Sequence, residues 1–176
     1  CTELLRGSDV LVGTVVGFPH GSSTTSTKVF ETKEAIKDGA TEIDMVLNIG
    51  LLKSGEDSKV QNDIASVVKA AGGHTVKVIL ENAYLTDDEK IRGCKLSEAA
   101  GAHYVKTSTG YAPTGATLAD IKLMKESVSP AVKIKSAGGV RTLDSLLDYM
   151  DAGVTRSGAS ATGAMLDEYV ARFGRD

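Results

Sequence analysis

A unit of strand, turn and helix repeats six times from residue 10 onward, and this repeat constrains the fold of the chain most strongly. Each unit opens with an apolar run, continues through a polar or glycine-rich turn, and closes with an amphipathic segment. The pattern predicts strands at 10–16, 42–48, 76–81, 103–109, 131–137 and 154–159. It predicts helices at 26–37, 56–71, 86–100, 118–128, 142–151 and 164–173.

Strict alternation of strands and helices indicates a parallel sheet, either doubly wound or closed as a (βα)8 TIM barrel. The glycine-rich fingerprint of dinucleotide-binding folds and the Walker lysine of nucleotide-binding loops are both missing, so the barrel is preferred. Six units are two short of eight, so the chain is predicted to carry strands three to eight of such a barrel. Residues 1–176 are treated as a single, partial barrel domain.

Composition and charge disfavour several classes of partner. The net charge is −3, which provides no basic face for nucleic acid. No apolar run approaches the ~18 residues of a membrane span, and no signal pattern opens the chain. Cys1 and Cys94 are too few for a disulfide framework, which predicts a reducing, cytoplasmic location. The three histidines lack metal-ligand spacing, so no metal site is expected.

Residues 103–110 place a lysine inside a short strand that ends in hydroxyls and a glycine. Because strand side chains alternate, Tyr104, Lys106 and Ser108 share one face. A buried ammonium is costly unless it is paired or loses its proton, and the neutral amine is a nucleophile. The alternative is a lysine at a strand end whose amine reaches solvent.

A second lysine-bearing strand lies at 131–137, where Lys133 and Lys135 share one face. Lys135 is nearer the carboxyl end of the strand, the end that carries active sites in barrels. A cation beside Lys106 would favour the neutral amine there, so Lys135 is a candidate perturber and proton donor. The alternative is a solvated pair of lysines on an edge strand.

The strand at 42–48 presents Glu42, Asp44 and Asn48 on one face. An inward Asp44 would pair with a lysine, either as a structural ion pair or as part of a proton relay, and the relay is favoured. Lys77 on the next strand is the candidate structural partner.

Glycine-rich turns follow the last two strands. Gly138 and Gly139 precede Thr142, where backbone N–H groups can approach an anion at a helix start and Arg141 can add charge. Residues 158–161, Gly-Ala-Ser-Ala, repeat this arrangement after the final strand. Barrels commonly bind phosphate at this position, although tight packing alone would also explain each turn.

Several of these segments together resemble the deoxyribose-phosphate aldolase family, over essentially the whole chain. The resemblance rests on Val15-Val-Gly-Phe-Pro19, Glu42-Ile-Asp-Met45, Val76-Lys-Val-Ile79, Val105-Lys-Thr-Ser-Thr-Gly110, Lys135-Ser-Ala-Gly-Gly-Val-Arg-Thr142 and Gly158-Ala-Ser160. The two longest of these motifs, taken together, are highly specific.

The resemblance implies a class I aldolase that interconverts 2-deoxy-D-ribose 5-phosphate with acetaldehyde and glyceraldehyde 3-phosphate. It implies no metal or other cofactor, and homodimerisation is a family expectation. By motif match, Lys106 would form the Schiff base, Lys135 would perturb its amine, and Asp44 would take part in the proton relay. The phosphate would rest on Gly138, Gly139, Gly158 and Ser160, and Thr109 and Gly110 would line the substrate site.

Three departures from the family pattern bear on this interpretation. Two βα units that open family members are absent, so a six-stranded piece is expected to have open sheet edges and to be unstable or inactive alone. Ala161 replaces a serine of many members, and Ser157 replaces an apolar residue, which is expected to loosen local packing. The alternatives are a non-catalytic barrel that binds a phosphate ligand, an inactive fragment, or another phosphosugar barrel enzyme.

Overall fold

The structure, a computed structural model, describes residues 1–174 and contains one parallel sheet with helices between successive strands. The strands are β1 (Gly13–Val16), β2 (Glu42–Val46), β3 (Thr75–Ile79), β4 (Tyr104–Lys106), β5 (Lys133–Ala137) and β6 (Val154–Gly158). The helices are α1 (Thr25–Lys37), α2 (Ile49–Lys53), α3 (Asp57–Ala70), α4 (Asp87–Ala99), α5 (Leu118–Ser127), α6 (Leu143–Asp151) and α7 (Thr162–Phe173). The last two residues of the predicted domain lie outside the described part.

The six strands stand in the sheet in chain order, and each is parallel to the next. This confirms the predicted α/β class and the parallel sheet. Because β5 lies between β4 and β6, the alternative of a solvated edge strand for Lys133 and Lys135 is excluded. Within residues 1–174, β1 and β6 are the edges and have a strand partner on one side only.

The two faces of the sheet differ sharply in polarity. The face toward the helices is apolar and fully buried, through side chains such as Ile43, Met45, Val78 and Val105. Alternate positions put charged side chains on the inner face: Glu42 and Asp44 on β2, Lys77 on β3, Lys106 on β4 and Lys135 on β5. The helical face therefore provides the apolar core, and the inner face is free to carry chemistry.

Strong curvature of the sheet brings its distant strands together. In a flat sheet, β2 and β6 would lie roughly 19 Å apart, at about 4.8 Å per strand. Yet the guanidinium of Arg156 on β6 donates to Glu42 Oε1 on β2 at 2.7 Å. The six strands therefore form an open half-barrel whose inner face is concave.

Helix caps agree with the sequence pattern. Thr24 accepts from Thr27 N at the start of α1, so the hydroxyl-rich segment before this helix supplies a cap. Thr86 and Glu89 form the predicted capping box of α4. Glycines with positive φ follow the carboxyl ends of α1, α4 and α6, where the backbone turns back toward the sheet.

Two short elements were not predicted. The predicted strand 42–48 ends at Val46, because Asn48 instead caps α2 and accepts from Leu51 N at 3.1 Å. The predicted strand 76–81 ends at Ile79 and is followed by a 3₁₀ turn, Asn82–Tyr84. Among the described residues, no helix has both the length and the apolar composition needed to cross a bilayer.

Candidate active site

On the inner face, a single carboxylate accepts hydrogen bonds from three ammonium groups. Asp44 Oδ2 accepts from Lys106 Nζ at 2.8 Å and from Lys135 Nζ at 2.7 Å, while Oδ1 accepts from Lys77 Nζ at 2.8 Å. The register of the strands explains this convergence: Asp44 pairs with Lys77 across β2 and β3, and Lys106 pairs with Lys135 across β4 and β5. Asp44 and Lys106 are only 5% and 7% exposed.

The ionic cluster continues toward the amino ends of the strands. Lys77 Nζ also donates to Glu42 Oε2 at 2.9 Å, and Glu42 Oε1 accepts from Arg156. Four cationic side chains thus surround two carboxylates. An excess of positive charge in a poorly hydrated interior favours release of a proton from one lysine.

The directions of the pKa shifts identify Lys106 as the lysine that is biased toward losing its proton. Burial lowers the pKa of Lys106, and the positive charges of Lys135 and Lys77 lower it further. The nearby Asp44 carboxylate raises this pKa, but the net pKa of Lys106 lies below the ordinary lysine value. For Asp44, burial alone would raise the pKa, but the charges and hydrogen bonds of Lys106 and Lys135 outweigh it and hold the pKa well below its usual range. Asp44 therefore stays ionised while Lys106 is the lysine biased toward the neutral amine.

A cavity of ≈ 410 Å³ opens directly beside Lys106. Its wall includes every residue that the sequence predicts for substrate or phosphate contact, namely Thr109, Gly110, Gly138, Gly139, Gly158 and Ser160, together with Ala137, Val140, Arg141 and Ala159. A smaller cavity of ≈ 130 Å³ lies on the other side of the cluster and is lined by Asp44, Lys77 and Lys135, among others. Lys106 thus lies between the ionic cluster and the larger cavity.

Hydrogen bonds fix the backbone on both sides of the larger cavity. Thr107 Oγ1 donates to Ala137 O and accepts from Ala137 N, both at 3.1 Å, which ties the end of β4 to the end of β5. A side chain at Gly115 would meet Gly138 O at 2.1 Å, so the loop after β4 packs backbone to backbone against the glycine turn. This close approach is open only to glycine.

The two glycine turns lead into helices as predicted. Gly138 and Gly139 both have left-handed φ, at 77° and 74°, and Thr142 then caps α6. After β6, Ala161 is the N-cap of α7 and has no side chain that can cap it. The first-turn N–H groups of α7 are therefore available to an anion.

The remaining predicted side chains have different placements. Lys133 lies away from the cluster, with its amine 5.9 Å from the centre of the Tyr104 ring. The hydroxyl of Ser157, a residue expected to loosen packing, is 2.8 Å from that of Ser136, and the two share a hydrogen bond. Among residues 1–174, no group of three or more His, Cys, Asp or Glu side chains is arranged to hold a metal ion.

Arg156 is the site residue that the sequence analysis missed. Strand alternation would place it on the same face as Val154, which packs in the apolar core. The register between β5 and β6 shifts between Ile134 and Lys135, and this irregularity turns Arg156 to the inner face. No feature of the sequence indicates that shift, so alternation alone could not have found this arginine.

Residues 3–167 match the family described as DeoC/LacD family aldolase. The chain belongs to this family. Within the DeoC/LacD family, it is 59% identical over 160 residues to the deoxyribose-phosphate aldolase of Staphylococcus epidermidis strain RP62A, covering 91% of this chain and 73% of that protein. It is 57% identical over 161 residues to the deoxyribose-phosphate aldolase of Streptococcus uberis, covering 92% of this chain and 73% of that one.

A solved structure shows the same fold. The tetrameric deoxyribose phosphate aldolase from Aeropyrum pernix superposes with a TM-score of 0.87 at 29% identity, covering 96% of this chain and 71% of that chain. These relatives are thus longer than the 176 residues of this chain. The half-barrel corresponds to part of an aldolase barrel.

Proposed function

We propose that this protein is a deoxyribose-phosphate aldolase, an aldehyde-lyase that reversibly cleaves 2-deoxy-D-ribose 5-phosphate to acetaldehyde and D-glyceraldehyde 3-phosphate. The observation that carries the proposal is the position of Lys106, whose amine shares Asp44 with Lys135 and also borders the glycine-lined cavity. Membership of the DeoC/LacD aldolase family and the names of the two bacterial relatives support it.

We further propose that β1 to β6 are strands three to eight of a (βα)8 barrel forming a single domain. The order of the strands, the half-barrel curvature and the greater length of the relatives support this numbering. It also puts both glycine turns after the last two strands, where barrels commonly bind phosphate.

The first chemical step is addition of the neutral Lys106 amine to the aldehyde carbon of the open-chain sugar. Lys135 donates a proton to the hydroxyl of the tetrahedral adduct, which then loses water and leaves a protonated imine between Nζ and C1. The lowered pKa of Lys106 supplies the neutral amine, and the charges of Lys135 and Lys77 contribute to that lowering. Lys77 is in turn fixed by Glu42 and Asp44.

The second step breaks the bond between C2 and C3. The Lys135 amine, neutral after the first step, takes the proton of the C3 hydroxyl, the carbonyl of glyceraldehyde 3-phosphate forms, and the C2–C3 electron pair moves into the imine to give an enamine. Protonation at C2 and hydrolysis then release acetaldehyde and restore the amine. Since Asp44 stays ionised, Lys135 is the donor of the transferable proton and Asp44 is the shared acceptor that aligns it.

The phosphate group would rest on the glycine turns at the far end of the cavity. Gly138 and Gly139 expose backbone N–H groups there, and the uncapped start of α7 after Gly158 and Ser160 adds more. Thr109 and Gly110 would line the sugar between the phosphate and Lys106. No metal or organic cofactor takes part in this scheme.

We further propose that the enzyme works in a reducing cytoplasm and can form a homodimer. Cys1 and Cys94 are both free thiols, which suits such a compartment. Light scattering of the full-length protein would separate a dimer from the tetrameric assembly named for the Aeropyrum protein.

Borohydride trapping tests the proposed function. Full-length protein incubated with acetaldehyde and sodium borohydride should gain one reduced ethyl group at Lys106, seen by peptide mass spectrometry. Lys106→Ala should lose both this adduct and turnover, whereas Lys122→Ala, at an exposed lysine of α5, should keep both. A wild-type protein that binds the phosphosugar without forming the adduct would instead be a non-catalytic phosphate-binding barrel.

A further inference from the structure

Glu81 is a buried carboxylate that the proposed chemistry does not use. It follows β3, is 2% exposed, and has a left-handed backbone with φ 58° and ψ 64°. It is the one non-glycine residue with positive φ among residues 1–174. Such a conformation is unfavourable for a residue with a side chain and persists only where the surroundings enforce it.

Both carboxylate oxygens of Glu81 are directed at one residue of the site. Oε1 accepts from Thr109 N at 3.1 Å, and Oε2 accepts from the Thr109 hydroxyl. In the part of the chain that the structure describes, no lysine or arginine pairs with this carboxylate. The buried carboxyl group is therefore satisfied by the backbone and the side chain of Thr109, and it holds that residue at two points.

Thr109, the residue that Glu81 holds, belongs to the loop that forms one wall of the cavity. Thr109 Oγ1, whose proton goes to Glu81, accepts in turn from Tyr111 N at 3.1 Å. Thr109 and Gly110 line the cavity beside Lys106. The Tyr111 ring then stands edge-on to Phe18, with ring centres 5.5 Å apart, and so contacts the loop after β1.

We propose that Glu81 is a positioning residue of the aldolase site, which fixes Thr109 and thereby the wall of the cavity against which the phosphosugar binds. The proposal rests on the proposed function. Without the two bonds, the loop after β4 would have to be ordered when the phosphosugar binds, which weakens binding. The Lys106 amine is held separately by Asp44, so its reactivity toward a small aldehyde is independent of Glu81.

Glu81→Gln in the full-length protein tests this role, with Glu126→Gln at an exposed position of α5 as the matched control. We expect Glu81→Gln to raise KM for 2-deoxy-D-ribose 5-phosphate about tenfold. The rate of borohydride trapping with acetaldehyde at Lys106 should stay within about twofold of wild type. Glu126→Gln should change neither quantity.

A KM within about twofold of wild type for Glu81→Gln, or a parallel loss of aldehyde trapping, would overturn the proposal. Should this variant fail to fold, Thr109→Val removes the hydroxyl that Glu81 holds while keeping the shape of the side chain. An unchanged KM for Thr109→Val would also overturn it, and a raised KM with normal trapping would support it. Absence of trapping in the wild-type protein would refute the proposed function itself, and with it the role of Glu81.

Discussion

Replacement of Asp44 by asparagine should destabilise the protein strongly at neutral pH, because Asp44 accepts hydrogen bonds from three lysines. The variant keeps the side-chain volume but removes the charge. Glu42 would then be the carboxylate left in the cluster, and it contacts Lys77 and Arg156. Lys106 and Lys135 would lose their anionic partner.

The size of the effect follows from this loss. Removing one partner of a buried ion pair costs about 3–5 kcal/mol. For a chain of this size, each kcal/mol lowers Tm by about 2–4 °C, so Asp44→Asn should lower Tm by roughly 6–20 °C. Asp148→Asn, at an exposed position of α6, should change Tm by little.

The pH dependence gives a sharper test than a single value. The folded-state pKa of Asp44 is lowered, so its stabilisation is complete above its unfolded pKa and is lost only as the pH falls toward the folded value. The folded-state pKa of Lys106 is also lowered, so the cost of burying its ammonium disappears as the pH rises toward its unfolded value of about 10.5. The penalty of Asp44→Asn should therefore be largest near pH 7 and smaller near pH 10.

Urea denaturation of the full-length protein at the two pH values measures this penalty. A second substitution, Lys106→Met in the Asp44→Asn background, should recover part of the lost free energy, because it removes one of the unpaired charges. A penalty below about 1 kcal/mol at pH 7, or one that increases toward pH 10, would refute the account of the cluster.

Three further predictions concern the cluster, the turns and the thiols. Lys135→Met should raise the pKa of Lys106, because it removes a repelling positive charge. The pH profile of aldehyde trapping at Lys106 should therefore move to higher pH, and an unchanged profile would exclude that repulsion. Gly21→Ala should lower the free energy of unfolding, measured by urea denaturation, more than Gly55→Ala. Both glycines have left-handed φ, but the new Cβ at Gly21 would lie 1.9 Å from a backbone carbonyl oxygen, whereas the new Cβ at Gly55 would meet no atom. Burial raises the pKa of Cys94 to about 12, so its thiol should resist iodoacetamide at pH 8 until the protein unfolds, and modification of the native protein would contradict this packing.

Much of the fold follows from the sequence, because parallel α/β units carry a strong periodic signal. The alternation of apolar strands with capped helices predicts the six strands found in residues 1–174 and their parallel arrangement. Strand alternation also predicts that Asp44, Lys106 and Lys135 share the inner face. Whether their side chains meet depends on sheet curvature, which local sequence does not encode.

The features that could not be predicted depend on local departures from regular geometry. Arg156 reaches the inner face through a register shift between β5 and β6. Glu81 reaches Thr109 because its backbone leaves the strand in a left-handed conformation. Asn48 was predicted as a strand residue but caps α2, because α2 needs an acceptor for its first-turn N–H groups.

The bond between Arg156 and Glu42 joins residues 114 positions apart along the chain. During synthesis, a ribosome would already have released Asp44, Lys106 and Lys135 before the guanidinium emerged. Until then, Lys77 would be the cation paired with Glu42. The ionic cluster would therefore be completed only when β6 has joined the sheet.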